Sequence, residues 1–187
     1  MNGHLDTLRR TLQDATAAIH RDYFLLPIAD GDAVYRERTY CYELYHQLRR
    51  RWPADYPYTL GGEVDKGGHH RFKATPLRQA KPDLLVHIPG NMAGNFVVIE
   101  VKPITAKRHH VRRDFTKLHA FLSPPASYQR ALYLVYGTHL KGIERFLGAC
   151  HQIADELRVD LSPIDLYWHE SPGSPAHLVA WNPEAVV

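Results

Sequence analysis

Residues 81–103, KPDLLVHIPGNMAGNFVVIEVKP, decide the reading of the fold. Asp83–Ile88 (DLLVHI) is a short apolar run that suits a strand. Pro89-Gly90-Asn91 is turn chemistry. Asn95–Lys102 (NFVVIEVK) is the strongest strand signal in the chain, because β-branched residues dominate it. Side chains alternate along a strand, so Val98, Glu100 and Lys102 share one face. Val97, Ile99 and Val101 take the other and read as core. A hairpin with its loop centred near residue 92 sets Asp83 roughly opposite residues 100 to 102.

Working outward, the period changes to that of helices. Upstream, Leu5, Leu8, Leu12, Ala15 and Ile19 recur at helical spacing, which predicts a helix over about residues 4–20. A connecting segment with Pro27 and an Asp30-Gly31-Asp32 turn signal follows. Tyr40, Leu44, Leu48 and Trp52 mark the buried stripe of a second helix over about 34–52, closed by Pro53. Tyr58–Val64 suits a strand, and the polar, Gly-rich stretch from Asp65 to His70 follows it. Downstream, a helix is expected over about 107–122, ended by Pro124-Pro125. Ala131–Tyr136 is a strand, and about 139–158 a helix with Ile143, Phe146, Leu147, Cys150 and Ile153 on one side. Ile164–His169 and His177–Trp181 are final strands. The expected fold is a single α/β domain over 1–187. Its three-strand meander is followed by a crossover helix and a returning strand.

Asp83, Glu100 and Lys102 carry the chemistry. Two carboxylates at one place repel and call for a cation between them. Mg²⁺, or Mn²⁺, takes oxygen ligands and keeps several waters. Such an ion can polarise a phosphodiester and activate water. Asp83 and Glu100 are the expected metal ligands, with the carbonyl of Val101 as a further one. Lys102 would position or activate the nucleophile and stabilise charge on phosphate. The bland alternatives are a half-solvated strand whose Glu and Lys pair with each other, and a turn aspartate after proline.

The residues KPDLLVH (81–87) and NFVVIEVKP (95–103) resemble the PD-(D/E)xK nuclease superfamily, the restriction-endonuclease-like fold. That resemblance implies a core of helix, three strands, helix and strand over about 34–136. Around it lie an N-terminal helix and a C-terminal helix plus two strands. It also implies metal-dependent cleavage of DNA, less often of RNA, leaving a 5′-phosphate. The motif is short, and members that have lost activity exist. The alternative is therefore an inactive nuclease-fold module that binds nucleic acid or a protein partner in a prokaryotic defence or mobile-element system.

Many members add an acid from the first core helix. Glu43 is the first choice, about 60° from Tyr40 on the helical wheel. Glu63 competes for the role, and Glu37 reads as less well placed. Lys107, Arg108, Arg112, Arg113 and Lys117 follow the Glu-x-Lys strand and are candidate phosphate contacts, with a solvated helix as the rival account. Asp114 and Lys117 read as a simple ion pair. Tyr42, Tyr45 and Trp52 read as packing residues rather than base-stacking platforms. His69–Lys73 could form a flap or an exposed loop. His69-His70 and His109-His110 lack metalloprotease spacing, which argues against zinc catalysis.

Composition sets the outer bounds. The net charge of +3 permits nucleic-acid contact without announcing it. Two cysteines, Cys41 and Cys150, cannot form a disulfide framework and suit a reducing, cytoplasmic setting. No apolar run is long enough to span a membrane, and no secretory leader is visible. With no separate recognition domain in view, specific cutting would call for a homodimer or a protein partner.

Overall fold

The computed structural model describes residues 2–63, 76–138 and 143–181. The proposed flap, His69–Lys73, lies outside the described residues, as does the Gly-rich stretch from Asp65 to His70.

The long β-branched run forms the central strand. Before it come helix α1 (Asn2–Ala17), helix α2 (Arg21–Phe24), strands β1 (Leu26–Ile28) and β2 (Gly31–Val34), helix α3 (Glu37–Arg51) and strand β3 (Thr59–Gly62). Then come β4 (Leu84–His87), β5 (Asn95–Pro103), α4 (Arg108–Leu122) and β6 (Arg130–Tyr136). The chain continues with α5 (Glu144–Leu157), β7 (Ile164–His169) and β8 (His177–Val179).

Six strands form one mixed sheet in sequential order, β3-β4-β5-β6-β7-β8. β3, β4 and β5 make the antiparallel meander, and β8 is antiparallel to β7. β6 and β7 run parallel to their predecessors, because α4 and α5 carry the chain back each time.

Both faces of the sheet are covered. Leu8, Leu12, Tyr40, Leu44 and Leu48 from α1 and α3 pack on Val97, Ile99 and Val101. Val111, Phe115 and Leu118 of α4 and Phe146, Cys150 and Ile153 of α5 pack on Val98, Tyr133 and Val135. This three-layer burial explains why β5 is apolar on both faces rather than alternating. It also removes the half-solvated reading of the Glu-x-Lys strand, since Glu100 is 1% and Lys102 3% exposed.

Tyr40 fixes α3 against the far strands. Its ring stacks on Tyr136 at 3.9 Å, and its hydroxyl lies 2.7 Å from His169 Nδ1. The β1–β2 hairpin occupies a segment that reads from sequence as connection. Its strands are three and four residues long and largely exposed, so they carry no hydrophobic period.

Candidate active site

The meander register delivers Asp83 to Glu100. Leu84 pairs with Ile99 and Leu85 with Val98. One step earlier, Asp83 stands opposite Glu100 and on the same face, because directly paired residues share a face. The approach is locked from the main chain: the Val101 N–H donates to Asp83 Oδ2 at 2.7 Å. In an extended strand the N–H and C=O of one residue point the same way. The Val101 carbonyl therefore emerges on the Asp83 side, where β4 has not yet begun.

Two helices supply the rest. The first turn of α3 brings Glu37, whose Oε2 lies 2.8 Å from Lys102 Nζ. From α4, Asp114 Oδ2 lies 3.1 Å from the same ammonium and accepts a hydrogen bond from Tyr133 OH at 3.2 Å. Lys117, one turn further along α4, reaches Glu100 Oε2 at 2.6 Å and donates to the Lys81 carbonyl at 3.1 Å. Asp83, Lys102, Asp114 and Lys117 line a cavity of about 200 Å³, with Glu37, Glu63 and Cys41 on its α3–β3 side and Arg38, Lys81 and Arg113 as further cations.

The electrostatics separate the roles. Burial would lower the Lys102 ammonium, but Asp114 and Glu37 outweigh it and hold the pKa above its usual value. Lys102 is thus a fixed positive charge at neutral pH and not a base. Burial pushes Glu100 well above the carboxylate range, and the charge of Asp83 adds to the rise. Asp83 is raised from 3.8 to about 6, first by burial and then by Glu37, against the Val101 N–H, Lys117 and Lys102. Asp114 is raised by burial, with Lys102 and Lys117 opposing.

A test follows from Asp83. Its pKa is higher folded than unfolded, so the protonated form favours folding. The ionised group withholds stability as pH rises above about 4, and fully above about 6. In EDTA, Asp83→Asn should therefore be more stable than the native chain at pH 8, by about 3 kcal/mol. The gap should close towards pH 4. Denaturant midpoints at both pH values check this, and a gap independent of pH would contradict it.

Asp83, Glu100 and Lys102 are brought together as the sequence suggests, but Glu43 is not. Its Oε1 accepts from Gln47 Nε2 at 2.5 Å, and Gln47 in turn holds Arg51, all on the far edge of α3. Glu37 and Glu43 both lie about 60° from Tyr40, in opposite senses. The wheel alone cannot say which edge meets the end of β5, and it is the Glu37 edge. Glu63 lines the cavity and sits 3.6 Å from Arg38 Nε.

The basic residues divide by helix face. Arg113 and Lys117 line the cavity. Arg108 and Arg112 face away and both bind Glu156 of α5, at 2.5 and 2.6 Å, so they clamp two helices together. Lys107 is exposed at the N-cap of α4. Asp114 and Lys117 do not pair with each other: one serves Lys102 and the other Glu100. Asp114 falls within the stripe of Val111, Phe115 and Leu118, and a charge inside an apolar stripe was the signal that could have revealed it.

No family model, curated protein or solved structure matches the chain.

Among the described residues, no three or more His, Cys, Asp or Glu side chains form a ready-made metal cage. The donor set nonetheless fits a hard divalent ion. Glu100 Oε1 is buried without a hydrogen-bond partner, which is costly for a carboxylate unless a cation joins it. Two carboxylates and one carbonyl leave the open positions that Mg²⁺ fills with water. No described helix is long and apolar enough to cross a membrane.

Proposed function

We propose that the protein is a metal-dependent phosphodiesterase acting on nucleic acid, with DNA the expected substrate. One observation carries the reading: Glu100, buried with an oxygen that has no hydrogen-bond partner, stands in register with Asp83, and Asp83 lines one cavity with Lys102 and with Lys117, the ion-pair partner of Glu100. The helix, antiparallel meander, crossover helix and parallel strand also follow the order expected of a PD-(D/E)xK, restriction-endonuclease-like core.

Asp83 and Glu100 would hold Mg²⁺ or Mn²⁺, with the Val101 carbonyl as a third protein ligand. When bound, that ion supplies a polarised phosphodiester and an activated water. The chain's own groups do the remainder. Lys102, fixed between Glu37 and Asp114, presents a positive charge to the phosphate oxygens as negative charge builds there. With its ammonium held by these two carboxylates, it would orient the attacking water. Arg113 and Lys81 at the cavity attract the phosphate backbone.

A second reading has its own support. Lys117 already neutralises Glu100, and Lys102 already neutralises Glu37 and Asp114, as a purely structural network would have it. The chain would then be a non-catalytic nuclease-fold module. Incubating DNA and RNA, single-stranded and duplex, with Mg²⁺ or Mn²⁺ separates the two. The enzyme reading expects cleavage that EDTA stops and added metal restores. Chelator-resistant cutting, or none under any condition, would remove it.

A further inference from the structure

A second cavity opens beside the first. It measures about 280 Å³ and is walled by Tyr42, Tyr45, Gly62 and Leu84. It shares Cys41, Glu63 and Asp83 with the carboxylate–lysine cavity, so the two adjoin along α3. Tyr42 is 60% exposed, the most exposed large apolar side chain among the described residues. Burial stabilises such a ring, and its exposure beside a polar site is informative in a way that a scattered surface apolar residue is not. Tyr45 lies against β3: a side chain begun at Gly62 would come 3.5 Å from its ring.

Resting on the phosphodiesterase reading above, we infer that this second cavity receives one unpaired nucleobase next to the reacting phosphate. The substrate is then single-stranded or locally unpaired nucleic acid. Three features select this occupant. The cavity is slightly below the roughly 300 Å³ at which drug-sized pockets begin, which suits one flat ring system and not a base pair. Two of its walls are tyrosines about 60° apart on one helix, exposed Tyr42 and half-buried Tyr45, which offer aromatic surface for stacking. It opens onto Arg38, Lys81, Arg113 and Lys117, the cations that a phosphate backbone would follow. Stacking of this kind tolerates any base, so it sets strand form and not sequence.

The test is fluorescence anisotropy of labelled oligonucleotides in EDTA, where no bond is broken. The native chain should bind a single strand more tightly than a duplex of the same sequence. Tyr42→Ala should weaken single-strand binding about tenfold, as expected for one lost base stack. Tyr42→Trp should restore it, and duplex binding should not respond to either change. Equal affinity for the two forms, no binding of either, or an unaffected Tyr42→Ala would overturn the inference. Single-strand binding that needs Tyr42 in a protein that never cleaves would leave the base pocket standing and remove the hydrolase. Metal-dependent cleavage indifferent to Tyr42 would do the reverse.

Discussion

Glu100→Gln is expected to lower metal-dependent cleavage by about 10³-fold or more while the chain stays folded. Glutamine has the same shape and fills the same buried site. What it lacks is the charge, and a hard divalent ion held by only two carboxylates depends on both. Losing a group that merely orients a metal ligand costs about 10- to 100-fold, so losing a ligand itself should cost more. Lys117 loses its 2.6 Å partner in this variant, but its ammonium keeps its hydrogen bond to the Lys81 carbonyl at 3.1 Å and lies at the cavity. Single-turnover rates at saturating Mg²⁺ provide the measurement, with circular dichroism as the check on folding. Activity within tenfold of the native chain would place Glu100 outside the reaction.

The second large effect concerns stability. Lys102→Met should destabilise the protein by about 3–5 kcal/mol, because it removes the cation in direct contact with fully buried Asp114 and leaves only the more distant Lys117 to oppose its charge. For a domain of this size that corresponds to a fall in Tm on the order of 10 °C. Tyr133 OH, at 3.2 Å, can still donate to Asp114 but cannot neutralise it. Adding Asp114→Asn to Lys102→Met should recover much of the loss, since removing both members of a buried pair is far milder than removing one. If the single and double variants melt together, Asp114 does not depend on Lys102. The sequence alone suggests that substituting Lys102 would affect catalysis and spare the fold. The structure corrects that, because the strand is buried on both faces. Loss of activity in a Lys102 variant must therefore be read beside its stability.

The central strand and its neighbours were legible because their signals are local and strong. Asn95–Lys102 is apolar and β-branched, and the two-residue period assigns Glu100 and Lys102 to one face whatever surrounds them. The position of Asp83 opposite Glu100 followed from counting around a short loop. The irregularity in pairing between Val86 and His87 moves the register by one residue and so sets Asp83 opposite Glu100 rather than Ile99, a shift that falls within the range of 100 to 102 that the count allowed. What stayed hidden depends on how separate elements dock. Glu37 and Glu43 flank Tyr40 symmetrically, and only the packing of α3 against Tyr136 and His169 turns one of them toward Lys102. Arg108 and Arg112 differ from Arg113 and Lys117 only by helix face. Their fate was set by Glu156 on a helix some forty residues away in sequence, with Glu156 44 residues from Arg112. Tyr42 and Tyr45 have the spacing of packing residues. Only Tyr45 packs, over Gly62, while Tyr42 remains in solvent.

The site carries its own tension. Asp83 is raised by burial and by Glu37, Glu100 by burial and by Asp83, and Lys117 relieves this only in part. Such an arrangement withholds stability from the metal-free fold, as groups kept for function often do. A divalent ion at this position would return that stability, because whatever binds the native state alone stabilises it. Binding of the ion is therefore the claim on which the rest stands. The direct measurement is titration of the native chain with Mn²⁺ by calorimetry, beside Asp83→Asn and Glu100→Gln. One site per chain, lost in both variants and accompanied by a rise in Tm of the native chain only, is the predicted result. No saturable binding, or equal binding in all three proteins, would contradict it.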